Sequence, residues 1–264
     1  EFRRVLFRSI MKSVVIEQPG ELVLAERPLP TPAAGEVRVK VKYASICGSD
    51  VHIWHGHNPF AKYPRVIGHE FFGVIDAVGD EVDASRIGER VAVDPVVSCG
   101  SCYPCSVGRP NVCTTLSVIG VHRDGGFSEY AVAPAGNAYR LPAAIPDKLA
   151  SMVEPFTIAA NITAFLKPQP QDVALIYGAG PMGLTAIQVL KGVFKVAQVL
   201  VVDRLPERLE LAKANGADRG FNNAEVPLAA QLEGVQPTLI IDAACHPSIL
   251  AEAAALASRS KSVV

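Results

Sequence analysis

Side chains that could bind a metal ion are concentrated in two short segments near the start of this sequence, CGSDVH at 47–52 and GHE at 68–70. Glu154 adds a carboxylate further along the chain. A thiolate, an imidazole and a carboxylate, completed by water, are ligands typical of a catalytic zinc ion with one open position. Each residue alone also fits an ordinary packing role. Their combination with the dinucleotide-binding motif described below favours a catalytic zinc site.

A second group of candidate ligands consists of Cys99, Cys102, Cys105 and Cys113, four of the six cysteines in the chain. Glycine and proline residues between them provide the turns needed to bring four sulfurs to one ion. Their spacing suits a tetrahedral zinc site made only of thiolates. Such a site has no open position, so we expect a structural zinc ion. In a chain without an export signal, metal binding is favoured over disulfides.

A glycine-rich segment, VALIYGAGPMG at 173–183, follows the pattern of a strand that turns directly into a helix. Gly178 permits the tight turn, Gly180 allows backbone N–H groups to approach a pyrophosphate, and Gly183 allows close packing of helix on strand. Asp203, at the end of the next predicted strand, would bind the ribose hydroxyls and repel a 2′-phosphate, which favours NAD over NADP. Arg204 would soften that preference. The candidate cofactor-binding residues are Gly178, Gly180, Pro181, Met182, Gly183, Asp203 and Arg204.

The elements that position the first group of ligands are predicted to be β-strands. EVRVKVK at 36–42 alternates strictly between apolar and charged residues, as a half-buried antiparallel strand does. Similar short runs occur at 71–78, 90–93 and 127–133, and turn-forming residues separate them. The first half is therefore predicted to be a β-rich domain.

After about Lys148 the pattern changes to buried strands alternating with helices, which indicates a parallel sheet built from βαβ units. Strands are predicted near 173–177, 198–202, 218–221 and 238–242, and helices near 181–193, 206–214 and 247–257. A helix over about 148–166 should link the halves. The fold class is therefore α/β plus a β-rich domain, with a doubly wound parallel sheet in the second half.

Charge and composition exclude several classes of partner. The chain has 25 basic and 26 acidic residues among 264, which gives no electrostatic basis for binding nucleic acid or an anionic membrane. No apolar run reaches the roughly 18 residues of a membrane span. The first ten residues lack the features of a signal peptide, and we expect them to be a non-native extension before Met11. A cytoplasmic location is the default expectation.

The predicted domains are an extension at 1–10, a zinc-binding catalytic domain at 11–150 and a dinucleotide-binding domain at 151–264. Residues 262–264 have the pattern of a strand that has only begun, whereas a doubly wound sheet usually has six strands. We therefore expect the second domain to be truncated at its C-terminus. An exposed apolar sheet edge would then make the chain poorly soluble or inactive as it stands.

Several motifs together resemble one known family. They are CGSDVH at 47–52, GHEFFGVI at 68–75, VAVDPVVSCGSCYPCSVGRPNVC at 91–113, DGGFSEYAV at 124–132, EPF at 154–156 and GAGPMGL at 178–184. The chain from Met11 onward is similar to the zinc-containing medium-chain dehydrogenases of sorbitol and threonine dehydrogenase type. The resemblance implies a GroES-like catalytic domain followed by a Rossmann domain. It also implies two zinc ions, NAD, and homodimers or homotetramers at full length.

The resemblance further implies roles for individual residues. Cys47, His69 and Glu154 resemble the catalytic zinc ligands, and Glu70 resembles the neighbouring carboxylate that exchanges with water or with Glu154. Asp50 resembles the acid that orients the imidazole ligand. Two more candidates, Ser49 and His52, resemble the relay that carries the alcohol proton to solvent.

The implied activity is NAD-linked oxidation of a secondary alcohol in a small polyol or sugar acid. FAKYPRVIGHEFFGVIDAVG and LIIDAACHPSIL are most similar to a branch related to L-gulonate 5-dehydrogenase, which implies a hexonate substrate. Threonine, sorbitol or butanediol are the alternative substrates. The alternative outside the enzymes is a zinc- and NAD-binding regulatory protein without turnover. The complete set of candidate catalytic residues argues against this alternative. His55, His57, Arg65, His122 and Cys245 receive no role.

Overall fold

The computed structural model describes residues 10–257 and 262–263. The predicted non-native extension lies outside these residues, except for Ile10, which begins the first strand. The chain divides into two compact units between Glu154 and Pro155. Each unit has its own hydrophobic core.

The first unit is rich in short strands. Its elements are β1 (Ile10–Gln18), β2 (Glu21–Pro28), β3 (Glu36–Ser45), α1 (Gly48–Trp54), β4 (Arg65–Val66), β5 (Glu70–Val78), β6 (Arg90–Val93), β7 (Val96–Val97), α2 (Tyr103–Ser106), β8 (Ser117–Val118), β9 (Tyr130–Pro134), β10 (Ala138–Arg140) and α3 (Asp147–Ala150). Helix α4 (Val153–Phe165) contains the point of division.

A five-stranded antiparallel sheet with the order β10-β6-β5-β3-β9 forms the centre of this unit. The alternation in β3 explains how the strand packs, because Val37 and Val39 are fully buried whereas Arg38 between them is on the other face and is half-buried. Both valines belong to a cluster that includes Phe71 and Ile75 from β5. Fully burying one such side chain stabilises the fold by about 1.5–3 kcal/mol. The prediction of a half-buried strand is confirmed.

Two smaller sheets complete this unit. Strands β2, β1 and β4 form one in that order, and β7 pairs with β8 in the other. The strand predicted at 127–133 begins only at Tyr130. The N–H of Phe127 instead donates to the carbonyl of Ile67, and the carbonyl of Phe127 accepts the N–H of Val14. The backbone hydrogen bonds of Phe127 are therefore made outside the central sheet.

The single helix predicted over 148–166 is wrong, because the structure has two helices there, α3 and α4. Pro155 gives the physical reason. A proline has no N–H to donate and clashes with the preceding turn inside a helix, but it fits the first turn of a new one. Pro155 is the third residue of α4.

The second unit alternates strands and helices. Its elements after α4 are β11 (Val173–Tyr177), α5 (Pro181–Gly192), β12 (Gln198–Asp203), α6 (Pro206–Ala214), β13 (Arg219–Asn222), α7 (Leu228–Gln231), β14 (Leu239–Asp242), α8 (Pro247–Ala257) and β15 (Ser262–Val263). The four strands and three helices predicted after residue 170 are all present, within one residue at each end.

The strands of this unit form a parallel sheet with the order β13-β12-β11-β14-β15, in which β11 is central. Ala174 and Ile176 lie in one hydrophobic cluster, whereas Leu175 and Tyr177 lie in another. Alternate side chains of a strand point to opposite faces, so helices cover both faces. The predicted doubly wound parallel sheet is confirmed. Among the described residues, no helix is long and apolar enough to cross a membrane.

Candidate zinc and dinucleotide sites

The register of two strands brings the first group of candidate ligands together. Ser45 at the end of β3 pairs with Glu70 at the start of β5. Cys47 lies two residues beyond Ser45, and His69 lies one residue before Glu70. Two segments that are far apart in sequence therefore meet at one end of the central sheet.

Asp50 fixes the two segments to each other. Its Oδ2 accepts the N–H of Cys47 at 2.9 Å, and its Oδ1 accepts the N–H of Gly68 at 3.1 Å. The Asp50 side chain is 2% exposed, so these bonds compensate the cost of burying its charge. The same Oδ1 lies 3.5 Å from Nδ1 of His69. One carboxylate thus holds both ligand-bearing segments and faces the imidazole.

Both the backbone conformation and the lack of space for a side chain require a glycine at position 68. Its φ of +92° lies in the left-handed region. A Cβ at this position would lie 2.3 Å from the ring of Phe127. No other residue type fits there without moving the loop that presents His69.

Donor atoms of Cys47, His69 and Glu70 all lie within 4.8 Å of one another. This set of thiol, imidazole and carboxylate suits a zinc ion. Nδ1 of the buried His69 has no hydrogen-bond partner among the described residues, and Nε2 has only a long contact of 3.4 Å to Ser49 Oγ. An imidazole with nitrogens this poorly satisfied is suited to coordinating a metal ion. The residues present therefore fit zinc.

Glu154 lies outside that three-residue cluster, but it is electrostatically linked to it. The charges of His69, Glu70 and Asp94 all act on its carboxyl. A hydrogen bond from Ser45 Oγ to Ser151 Oγ, 3.0 Å long, holds the residues before α4 against the end of β3. The sequence did not single out Asp94, although its carboxylate follows directly after β6.

Burial and neighbouring charges perturb the candidate ligands. Burial lowers the pKa of His69, but the nearby side chains of Asp50 and Cys47 and their charges outweigh burial and raise the pKa to about 10. Burial raises the pKa of Glu70, against the opposing charge of His69. Burial likewise raises the pKa of Glu154 to about 7. Acids and bases this strongly perturbed by burial and by one another are characteristic of functional sites.

The two candidate relay residues lie on α1. Ser49 is half-buried and His52 is exposed. They are three residues apart, which places them on one face of the helix. Ser49 therefore lies between the ligand cluster and a side chain that reaches solvent.

The four cysteines predicted to bind a structural zinc ion also come together. Sγ of Cys102 lies 3.4 Å from Sγ of Cys105 and 3.8 Å from Sγ of Cys113. A tetrahedral zinc ion with Zn–S bonds of about 2.3 Å separates its sulfurs by about 3.8 Å. All four thiols are free, and these distances are too long for a disulfide, which is about 2.05 Å.

Backbone N–H groups surround this cluster. Those of Ser101 and then Cys102 are the main reasons why the pKa of Cys99 falls to about 5. Burial, followed by the neighbouring sulfur of Cys102, raises the pKa of Cys105 to about 11. The cluster therefore already favours a thiolate at Cys99.

The glycine-rich segment forms the turn between β11 and α5. Gly180 is the N-cap of α5, with Pro181 in its first turn and Met182 next to it. A Cβ at Gly183 would lie 1.9 Å from the carbonyl oxygen of Gly178, whereas a Cβ at Gly180 would meet nothing within 4 Å. The space in front of the helix N-terminus is open. Such an N-terminus suits the pyrophosphate of a dinucleotide.

A cavity of about 640 Å³ lies at the carboxyl ends of these strands, and Gly178, Asp203 and Arg204 line it. Oδ2 of Asp203 accepts the N–H of Ala179 at 2.8 Å, and Oδ1 accepts the N–H of Leu205 at 3.0 Å. The carboxylate is therefore held rigidly at the edge of the cavity, with a lone pair left on each oxygen.

Arg208 was not identified from the sequence as a candidate cofactor-binding residue. It lines the same cavity and lies 3.9 Å from Asp203. Its position in the first turn of the helix after Asp203 was the available signal. Asn223, His246 and Ser248 also line this cavity. Cys245 is exposed and belongs to neither cysteine-containing cluster.

Comparison with known proteins agrees with both halves of this description. The family model of the alcohol dehydrogenase GroES-like domain matches residues 33–143, and that of the zinc-binding dehydrogenase matches residues 181–264. The starvation-sensing protein RspB of Escherichia coli K12 is 66% identical over 256 residues, which cover 96% of this chain and 76% of that protein.

The chain belongs to the zinc-containing alcohol dehydrogenase family.

One further relative and one solved structure agree with this assignment. L-galactonate-5-dehydrogenase of E. coli K12 is 40% identical over 89% of this chain and 69% of its own length. The crystal structure of RspB from E. coli CFT073 in complex with NADH is similar with a TM-score of 0.90 and 65% identity, covering 94% of this chain and 73% of that one. The class of the protein is that of zinc-dependent, NAD-linked alcohol and polyol dehydrogenases, as the sequence predicts. The expected GroES-like and Rossmann folds are confirmed.

Proposed function

We propose that this chain forms the catalytic zinc site and the NAD site of a dehydrogenase that oxidises a secondary hydroxyl of a sugar acid. The observation that carries the proposal is the cluster of Cys47, His69 and Glu70 donor atoms, beside which the hydroxyl of Ser49 lies. Three protein ligands leave one coordination position of a zinc ion open for an alcohol, and the nearby hydroxyl can transfer a proton. A purely structural metal site would need neither feature.

The proposed zinc ligands are Cys47, His69 and one of two carboxylates, Glu70 or Glu154. Glu70 is within the cluster, and Glu154 is close enough for the charge of His69 to act on it. Asp50 faces His69 Nδ1, so that Nε2 is the nitrogen directed to the ion. Two carboxylates near one position would allow one to leave when the alcohol binds.

A zinc ion held by these ligands would supply Lewis-acid chemistry that lowers the pKa of the alcohol, and a bound NAD would supply the hydride acceptor. The chain itself moves the proton. Ser49 Oγ accepts the alcohol proton and passes it toward His52, which is exposed and releases it to solvent. The backbone turn at Gly178–Gly183 and the carboxylate of Asp203 hold the dinucleotide by its pyrophosphate and ribose.

A hexonate is the proposed substrate because of the relative that acts on one. L-galactonate-5-dehydrogenase is 40% identical to this chain. We propose L-gulonate or a similar hexonate, oxidised at a secondary hydroxyl. Threonine and neutral polyols are the competing substrates within the family.

A substrate panel on the zinc-loaded protein tests this assignment. Rates of NADH formation should show L-gulonate or L-galactonate preferred over sorbitol, 2,3-butanediol and L-threonine by at least about tenfold in kcat/KM, or about 1.4 kcal/mol. Preference for a neutral polyol would overturn the hexonate assignment.

Cys47→Ser tests whether the chain turns over at all. It should abolish turnover while NADH binding, measured by cofactor fluorescence, is retained. Cys245→Ser is the matched control, because this exposed cysteine lies outside both clusters. Turnover that survives Cys47→Ser would contradict the assigned zinc site, and an unmodified protein that binds zinc and NADH without oxidising any alcohol would favour a regulatory function.

A further inference from the structure

Three of the six histidines in the chain lie within six residues at the end of α1, namely His52, His55 and His57. His55 is the C-cap of the helix, and Gly56, in the left-handed region with φ of +75°, reverses the chain after it. The N–H of His57 then donates to the carbonyl of His52 at 2.8 Å. This turn brings the three side chains to one side of the helix end.

The three imidazole rings lie close together and are accessible. The ring centres of His55 and His57 are 5.6 Å apart, and those of His52 and His57 are 6.1 Å apart. All three residues are exposed. Within the described part of the chain, no hydrogen bond occupies any of the three rings. Their nitrogens are therefore available to a ligand.

Two of the three ring pairs, both of which include His57, are close enough for the two rings to bind one metal ion. An ion about 2.0–2.1 Å from a ligand nitrogen lies about 3.2 Å from the ring centre, so two rings on one ion are at most about 6.4 Å apart. Both separations are below this limit. The three rings do not form a ready-made cluster with all donor atoms within 4.8 Å, unlike Cys47, His69 and Glu70. Rotation of exposed side chains about χ1 and χ2 is needed, which costs little at a surface.

We infer that His52, His55 and His57 form a further metal site, which takes a divalent transition ion that prefers imidazole, such as Ni²⁺, Cu²⁺ or Zn²⁺. Neutral imidazole nitrogens suit these ions, whereas Ca²⁺ and Mg²⁺ require oxygen ligands. The site differs from the two zinc sites because it shares no residue with either. Ion binding here immobilises His52.

Immobilising His52 has a consequence that rests on the proposed function. His52 is the outer residue of the proposed relay, and a nitrogen bound to a metal ion cannot accept a proton. An ion at this site therefore inhibits alcohol oxidation without displacing the catalytic zinc ion.

Calorimetric titration of the untagged, zinc-loaded protein with NiCl₂ tests the site itself. The unmodified protein should bind one Ni²⁺ per chain with its zinc content unchanged. The double variant His55→Gln/His57→Gln should bind at least about tenfold more weakly, because two of three ligands are lost. His122→Gln, which removes an exposed histidine outside the group, should bind like the unmodified protein.

Unchanged Ni²⁺ affinity in the double variant would overturn the site, provided that circular dichroism shows both proteins equally folded. Inhibition is measured separately, as the Ni²⁺ concentration that halves the rate of each zinc-loaded protein relative to its own rate without Ni²⁺. It should rise at least about tenfold in the double variant. Binding without inhibition would overturn the coupling to His52. Absence of turnover in zinc-loaded protein without Ni²⁺ would count against the proposed function and leave the titration result standing.

Discussion

The carboxylate of Asp50 lies 3.5 Å from Nδ1 of His69 while it also accepts the N–H of Cys47 and of Gly68. A single buried side chain thus determines the separation of the two segments that carry the candidate zinc ligands, and the orientation of one of those ligands. Its position explains how two turns from different strands keep a defined geometry.

Asp50→Asn should weaken zinc retention at the candidate catalytic site by about 10–100-fold, the range seen when a metal ligand loses its supporting partner. The amide removes the charge that faces His69, and its NH₂ group opposes one of the two backbone N–H donors. Zinc content measured after graded chelation reports the loss. Asp147→Asn is the control, since that carboxylate is 52% exposed and pairs with Arg90. Equal zinc retention in both variants would contradict the role of Asp50.

Ser49→Ala should lower kcat by about 10²–10⁴-fold, the usual contribution of a proton-transfer group, with zinc content unchanged. Ser49→Thr should recover much of the rate, because it restores the hydroxyl on the same helix position. Rates at saturating substrate and NAD provide the measurement. A Ser49→Ala protein as active as the unmodified one would remove Ser49 from the relay.

Gly183→Ala should lower the stability of the fold, whereas Gly180→Ala should weaken NADH binding, although both substitutions add one methyl group. The Cβ at Gly183 would lie 1.9 Å from the carbonyl oxygen of Gly178, so this variant should lose at least about 2 kcal/mol in the free energy of unfolding. The Cβ at Gly180 meets nothing, so Gly180→Ala should fold normally but bind NADH more weakly, because the methyl group enters the space proposed for the pyrophosphate. Denaturant titrations and NADH fluorescence separate the two effects.

Gly192→Ala is the control for this pair. It lies on the same helix and its added Cβ is also in open space. Stability within about 1 kcal/mol of the unmodified protein and unchanged NADH binding are expected. Equal loss of NADH binding in Gly180→Ala and Gly192→Ala would show that the open space before α5 is not the cofactor site.

Cys105→Ser should release one zinc ion per chain and expose residues 99–113 to proteolysis, since the tetrahedral site would lose one of its four thiolates. NADH binding in the second unit should persist. Metal analysis combined with limited proteolysis checks both expectations. Retention of the same zinc content after Cys105→Ser would contradict a four-thiolate site.

Asp203→Ser should shift cofactor preference toward NADP by at least about tenfold in the ratio of kcat/KM values, or about 1.4 kcal/mol. The substitution removes the negative charge that would repel a 2′-phosphate and leaves Arg204 and Arg208 at the same cavity. The exposed Glu207 on α6 supplies the control variant, Glu207→Gln, which should keep the preference for NAD. An unchanged preference after Asp203→Ser would indicate that the carboxylate does not face the ribose.

Much of the fold could be predicted because its signals are local. The alternation at 36–42 determines which face of β3 is buried, and the glycine-rich turn after β11 determines where α5 begins. The length of the helix near residue 150 could not be predicted in the same way. The effect of Pro155 depends on whether a helix starts just before it or runs through it, and the apolar pattern is similar in both cases.

The types of ligand and the groups they would bind follow from the residues alone. Four closely spaced cysteines indicate a structural ion, a thiol and an imidazole indicate a catalytic one, and a glycine-rich turn indicates a dinucleotide. These depend on residue type and short spacing, which the chain carries locally. The position of Glu70 within the cluster, the action of the cluster's charges on Glu154, and the contacts of Asp50 with both Cys47 and His69 are visible only in the folded chain. The tertiary structure also brought Arg208 to Asp203 and gathered three histidines around Gly56. Strand register and helix packing set these distances, and both depend on the whole core.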